Sequence, residues 1–131
     1  MSTNGVMLIL SLALLLLLQL IQAQHTTGLA GMSYAFSPRD KAIDVGILGG
    51  RMQRAKVNLV ENLMLFAPVS ILGELMQVNH SMVNLGAIIL FVARVFHAPL
   101  YWAGIPVLRT LSWLACVVGI VIVAIADLGW V

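Results

Sequence analysis

Eight polar residues recur at helical spacing in a chain that otherwise holds almost no charge. Arg51, Arg54, Asn58 and Glu61 lie in one segment, Arg94, His97 and Tyr101 in a second, and Arg109 opens a third. At about 100° per residue the first four fall within an arc of roughly 80°, and the second three within about 60°. Each segment therefore presents one polar stripe. Four arginines against one nearby glutamate leave excess positive charge, which calls for an anionic ligand. Glu61 suits an ammonium on the same molecule, so a zwitterion with additional carboxylates fits the set. Taken singly, the residues also allow a bland reading. Arg54, Arg94 and Glu61 could neutralise one another between helices, and Arg51 could touch lipid phosphate.

The elements that carry these stripes belong in lipid. Of 131 residues, 61% are hydrophobic and 9% charged, and the first charged side chain is Arg39, with a titratable His25 before it. The mean hydropathy is +1.03. Soluble domains carry roughly a quarter charged residues. A span needs about 20 apolar residues, so the chain has room for four or five. Four are expected: 6–23, 58–78 with a helical extension from about 43, 82–101 and 107–126. Pro68 is expected to kink the second, and Pro106 to start the fourth. Thr26 to Asp44 reads as a polar loop, with the turn signal Ser37-Pro38-Arg39-Asp40, and Asn79-His80 as a short turn. The 6–23 run could be taken for a signal peptide, but it lacks a basic flank and a clear small-x-small cleavage site. The fold class is thus an all-α integral membrane protein, a single domain forming a four-helix bundle.

Arg39, Lys41, Arg51, Arg54 and Lys56 cluster around the first connection, and Arg109 follows the third. The positive-inside rule puts those connections in the cytoplasm and both termini on the opposite side. Both stripes then lie toward the cytoplasmic face. Lys56, on the far side of its helix, reads as a snorkelling headgroup contact. The net charge of +2 fits headgroups or an anionic ligand better than nucleic acid.

The pattern Arg54-x-x-x-Asn58-x-x-Glu61, then Arg94-x-x-His97-x-x-x-Tyr101, then Arg109-Thr110, resembles the MAPEG family, the membrane-associated proteins in eicosanoid and glutathione metabolism. The Ser37-Pro38-Arg39-Asp40 loop is also similar, and the likeness spans roughly residues 34 to 115. It implies a homotrimer with glutathione between adjacent subunits and a lipophilic second substrate drawn from the bilayer. Arg54, Asn58 and Glu61 would hold the glutathione backbone and its charged ends, and His97 and Tyr101 would line the pocket. Arg109 would favour the thiolate, and Asp40 matches a loop carboxylate that assists catalysis in some isomerase members. Arg51 and Arg94 match positions that are either ligand contacts or structural. Val57 stands where prostaglandin-synthesising members carry another arginine. Gln24 and His25 occupy the end of the first span, where some members place a basic residue.

The expected function is that of a glutathione transferase or peroxidase acting on hydrophobic electrophiles. The alternatives are a non-enzymatic membrane protein with a structural stripe, and a four-span transporter. The last fits poorly, because the first span has no charge. Cys116 reads as packing and His80 as a solvated turn residue. The seven methionines read as packing too, and Trp102, Trp113 and Trp130 as interfacial aromatics. No metal-ligand set, P-loop or nucleophile–base pair is present.

Overall fold

A computed structural model describes residues 1–78 and 80–129; Asn79, Trp130, Val131 and the side chain of His80 lie outside the described residues. The Asn79-His80 turn and the interfacial placement of Trp130 therefore fall where nothing is described. The chain forms α1 (Thr3–Ala30), the short α2 (Met32–Ala35), α3 (Gly46–Met76), α4 (His80–Ala103) and α5 (Pro106–Asp127). No strand occurs among the described residues. The four longer helices are each long and apolar enough to cross a membrane, so the chain is an all-helical four-span bundle.

The end of α1 departs from expectation. The polar run from Gln22 to Thr27 does not stop the helix, which continues to Ala30. Every backbone group in that run is satisfied inside the helix, and polar side chains at an interface carry no penalty. The first true breaker is Gly31, whose φ of +82° is open to glycine. Ser2 caps the other end, its hydroxyl accepting from the Gly5 amide at 2.9 Å. Pro68 lies within an uninterrupted α3, and Pro106 occupies the first turn of α5.

The core runs between α3, α4 and α5 through Leu59, Phe66, Val83, Leu90 and Val123, each at most 2% exposed. At the α4–α5 crossing, Gly86 and Gly119 face each other so closely that a Cβ on either would sit 2.6 Å from the other's carbonyl oxygen. Small residues let membrane helices approach to backbone contact where no hydrophobic drive exists between them. The leucines of α1 at 12, 16, 17 and 20 face outward.

One end of the bundle is tied by a buried polar cluster. Asn4, wholly buried, donates to the Ser70 carbonyl (3.0 Å) and to Glu74 Oε1 (2.9 Å), and accepts from Ser70 Oγ (2.9 Å). Its amide, free in the first turn of α1, is capped by Asn84 Oδ1 at 2.8 Å, and Ser2 Oγ donates to Glu74. These bonds join α1, α3 and α4 at one end. The arginine stripes lie at the other.

Candidate functional site

Tyr101, in the last turn of α4, organises the site. Its ring centre lies 4.7 Å from the Arg109 guanidinium carbon and 5.9 Å from that of Arg54, within the range of cation–π attraction. His97, one turn earlier, meets the same ring edge-on at 5.6 Å. Two adjoining hollows flank this tyrosine. One, of about 220 Å³, is bordered by Asn58, His97, Tyr101, Arg109, Thr110 and Trp113. The other, of about 280 Å³, is bordered by Gln53, Arg54, Val57, Asn58, Glu61 and Tyr101. Asn58 and Tyr101 belong to both, so the two form one groove along α3, α4 and α5. Arg54 and Glu61 are exposed in it, and Arg109 is half-buried. A shallow hollow bordered by Pro106, Val107, Thr110 and Leu111 adjoins it through Thr110.

Arg51 and Arg94 are held elsewhere. Arg51 Nη1 donates to the Trp102 carbonyl at 3.0 Å, close to the C-terminus of α4, where a cation is favoured by the exposed carbonyls. Its guanidinium lies in the space beside Gly104, where a Cβ would come within 2.6 Å of it. Arg94 is 2% exposed. Its Nη1 donates to Asn58 Oδ1 at 3.0 Å and its Nε to Cys116 Sγ at 3.1 Å. The Asn62 carboxamide, turned with its oxygen toward Arg94, accepts from the same guanidinium. Asp40 is exposed in the loop after α2 and lies outside the groove lining. Lys56 and Arg39 border a separate hollow with Gln22, Thr26 and Tyr34. His25 Nε2 meets the Val45 carbonyl at 3.2 Å, tying the end of α1 to the chain entering α3.

His97 is 3% exposed, and its tautomer follows from its neighbours. Ser112 Oγ donates its only hydrogen to the Arg109 carbonyl at 2.8 Å. At the 3.0 Å contact with His97 Nδ1 the hydroxyl must then accept, so the hydrogen sits on Nδ1. Nε2 is left a bare, buried acceptor without a partner. Ser112→Ala is expected to release this constraint, at a cost of about 1 kcal/mol. Nitrogen NMR should then show the two imidazole nitrogens of His97 averaging instead of standing apart; unchanged, separate signals would count against the arrangement.

Ser112, Trp113, Asn62 and Cys116 were not singled out by spacing as site residues. The signal was nevertheless present. Trp113 and Cys116 follow Arg109 by four and seven residues, and Asn62 follows Asn58 by four, so each shares a helix face with a stripe residue.

Four apolar helices able to cross a membrane, with an arginine-bordered groove opening between three of them, define a polytopic membrane protein. The chain matches the MAPEG family over residues 5–128 and belongs to it. No curated protein and no solved structure matches it significantly.

Proposed function

We propose that this protein binds glutathione in the Tyr101 groove and transfers it to hydrophobic electrophiles, or uses it to reduce hydroperoxides, at the membrane. The observation that carries this reading is the groove itself. Arg54 and Arg109 approach one tyrosine ring, with Glu61 exposed along the same hollow as Arg54 and Asn58 shared by the two hollows. Glutathione carries two carboxylates, one ammonium and one thiol, and this set offers complementary groups for them. Arg54, Asn58 and Glu61 hold its backbone and charged ends. His97 and Tyr101 line the site, and Arg109 favours the thiolate. The apolar hollow adjoining through Thr110 lets a lipid-dissolved electrophile reach the sulfur.

A purely structural stripe accounts for Arg51 and Arg94, whose guanidinium groups hold a helix end and the Asn58 carboxamide oxygen. It does not account for Arg54, Glu61 and Arg109, which border open space. Membership of the family further supports a homotrimer, with the groove completed by a neighbouring subunit. The clustering of basic residues supports a cytoplasmic groove and termini on the opposite side.

Calorimetric titration of detergent-purified protein with glutathione is expected to show saturable binding. Arg54→Ala or Glu61→Ala should weaken it by about tenfold or more, since each removes a charge-assisted contact. No saturable binding at millimolar glutathione would sink the proposal.

A further inference from the structure

We infer that Cys116 and Asn62 are positioning residues that, through Arg94, fix the polarity of Asn58, so that Asn58 meets the ligand as a hydrogen-bond donor only. This rests on the glutathione reading of the groove and extends it to side chains that do not border it.

Asn58 borders both hollows. A carboxamide carries one oxygen and one NH₂ and can be turned either way. Here the oxygen accepts from Arg94 Nη1 at 3.0 Å. Turning the group over would set its NH₂ against a guanidinium, which has no acceptor to offer, and would strip a buried cation of a partner. The oxygen therefore stays inward and both N–H bonds remain for the groove. The ligand atom that meets Asn58 is an acceptor oxygen, of a carboxylate or a peptide carbonyl.

That lock is only as good as the placement of Arg94. Its guanidinium sits among three uncharged acceptor groups, each on a neighbouring helix: Asn58 and Asn62 on α3 and Cys116 on α5. The Cys116 sulfur is wholly buried and takes the Nε hydrogen at 3.1 Å. It thus ties the root of the guanidinium, while Asn62 ties one side. With the sulfur gone, the planar fork loses the contact that sets its tilt, and Nη1 is free to leave Asn58. The sulfur acts as an anchoring acceptor, and no reaction at it is involved.

Three variants test this with two readouts: the side-chain amide NMR signal of Asn58 in labelled, detergent-solubilised protein, and the affinity for glutathione. Cys116→Ala should shift that signal and weaken binding by about five- to tenfold. Cys116→Ser keeps an acceptor and should restore both, to within about threefold of the unaltered protein. Asn58→Asp keeps the acceptor toward Arg94 but removes both donors. Binding should fall by about tenfold or more while the thermal midpoint rises, because a carboxylate now faces the buried guanidinium. A residue of merely structural value would not move the two in opposite directions. Glutathione binding by Cys116→Ala equal to that of the unaltered protein, with the Asn58 signal in place, would overturn the inference. So would undiminished binding by Asn58→Asp. If Cys116→Ala does not fold, the Asn58→Asp pair of readouts decides. If the unaltered protein itself binds no glutathione, the proposed function fails. The Asn58 signal in Cys116→Ala and Cys116→Ser then still decides whether the support exists.

Discussion

Arg109→Leu is expected to raise the pH at which the bound thiol ionises by about two units and to slow conjugation near neutral pH by more than tenfold. A free thiol titrates at about 8.5, and bringing it down by two units takes about 2.7 kcal/mol. One guanidinium at about 4 Å, at an effective dielectric near 20, supplies about 4 kcal/mol before the cost of desolvating the sulfur. Arg109 can therefore carry the whole shift, with little to spare. The sign is fixed by charge: removing a cation disfavours the thiolate, so the acid limb of the rate profile must move to higher pH. The structure also says why leucine is the informative replacement. Arg109 stacks over Tyr101 at 4.7 Å, and leucine keeps apolar contact with the ring while removing the charge. Arg109→Lys should retain part of the effect, since an ammonium is a point charge that keeps the sign but not the planar stacking. The measurement is the pH dependence of conjugation to a small aryl halide, together with the ultraviolet absorbance of the bound thiolate. An unmoved acid limb in Arg109→Leu would remove Arg109 from the mechanism.

The groove was legible in the sequence to the extent that helical periodicity carries it. Arg54, Asn58 and Glu61 share a face of α3, and Tyr101 and His97 share one of α4, and these residues border one groove. Periodicity does not separate Arg51 from its neighbours, since it lies on the same arc. A helical wheel records direction and not depth. Arg51 stands seven residues before Asn58, roughly 10 Å along the axis, level with the α4–α5 corner, where the Trp102 carbonyl takes it. Arg94 shows the opposite ambiguity. Its depth and direction were legible, but its acceptors belong to two other helices, and only their packing decides that it faces inward. The residue type alone says no more of Cys116 than packing; its bond to Arg94 is a property of the α4–α5 contact. The extent of α1 is not legible from polarity, because polar side chains do not stop a helix and Gly31 does.

That contact is where the second large effect is expected. In Gly119→Ala the new methyl would lie 2.6 Å from the Gly86 carbonyl oxygen and 2.9 Å from the Leu90 amide nitrogen. Both are backbone atoms, so no side-chain rotation relieves the clash and the helices must part. Overpacking of this kind costs about 1–3 kcal/mol, and it also forfeits the close backbone packing that holds apolar helices together in lipid. The consequence reaches the groove. Arg109 and Ser112 are on α5 and their partners Tyr101 and His97 on α4, so a shift of α5 against α4 by even half an ångström lengthens both contacts together. Gly119→Ala should therefore lower the thermal midpoint and weaken glutathione binding in the same variant. Gly28→Ala is the control. It lies inside α1 with no atom within 4 Å of the added methyl, and alanine there should be neutral or stabilising by about 0.5–1 kcal/mol. If the two alanines proved equally harmless, the α4–α5 crossing would not be what holds the two halves of the groove in register.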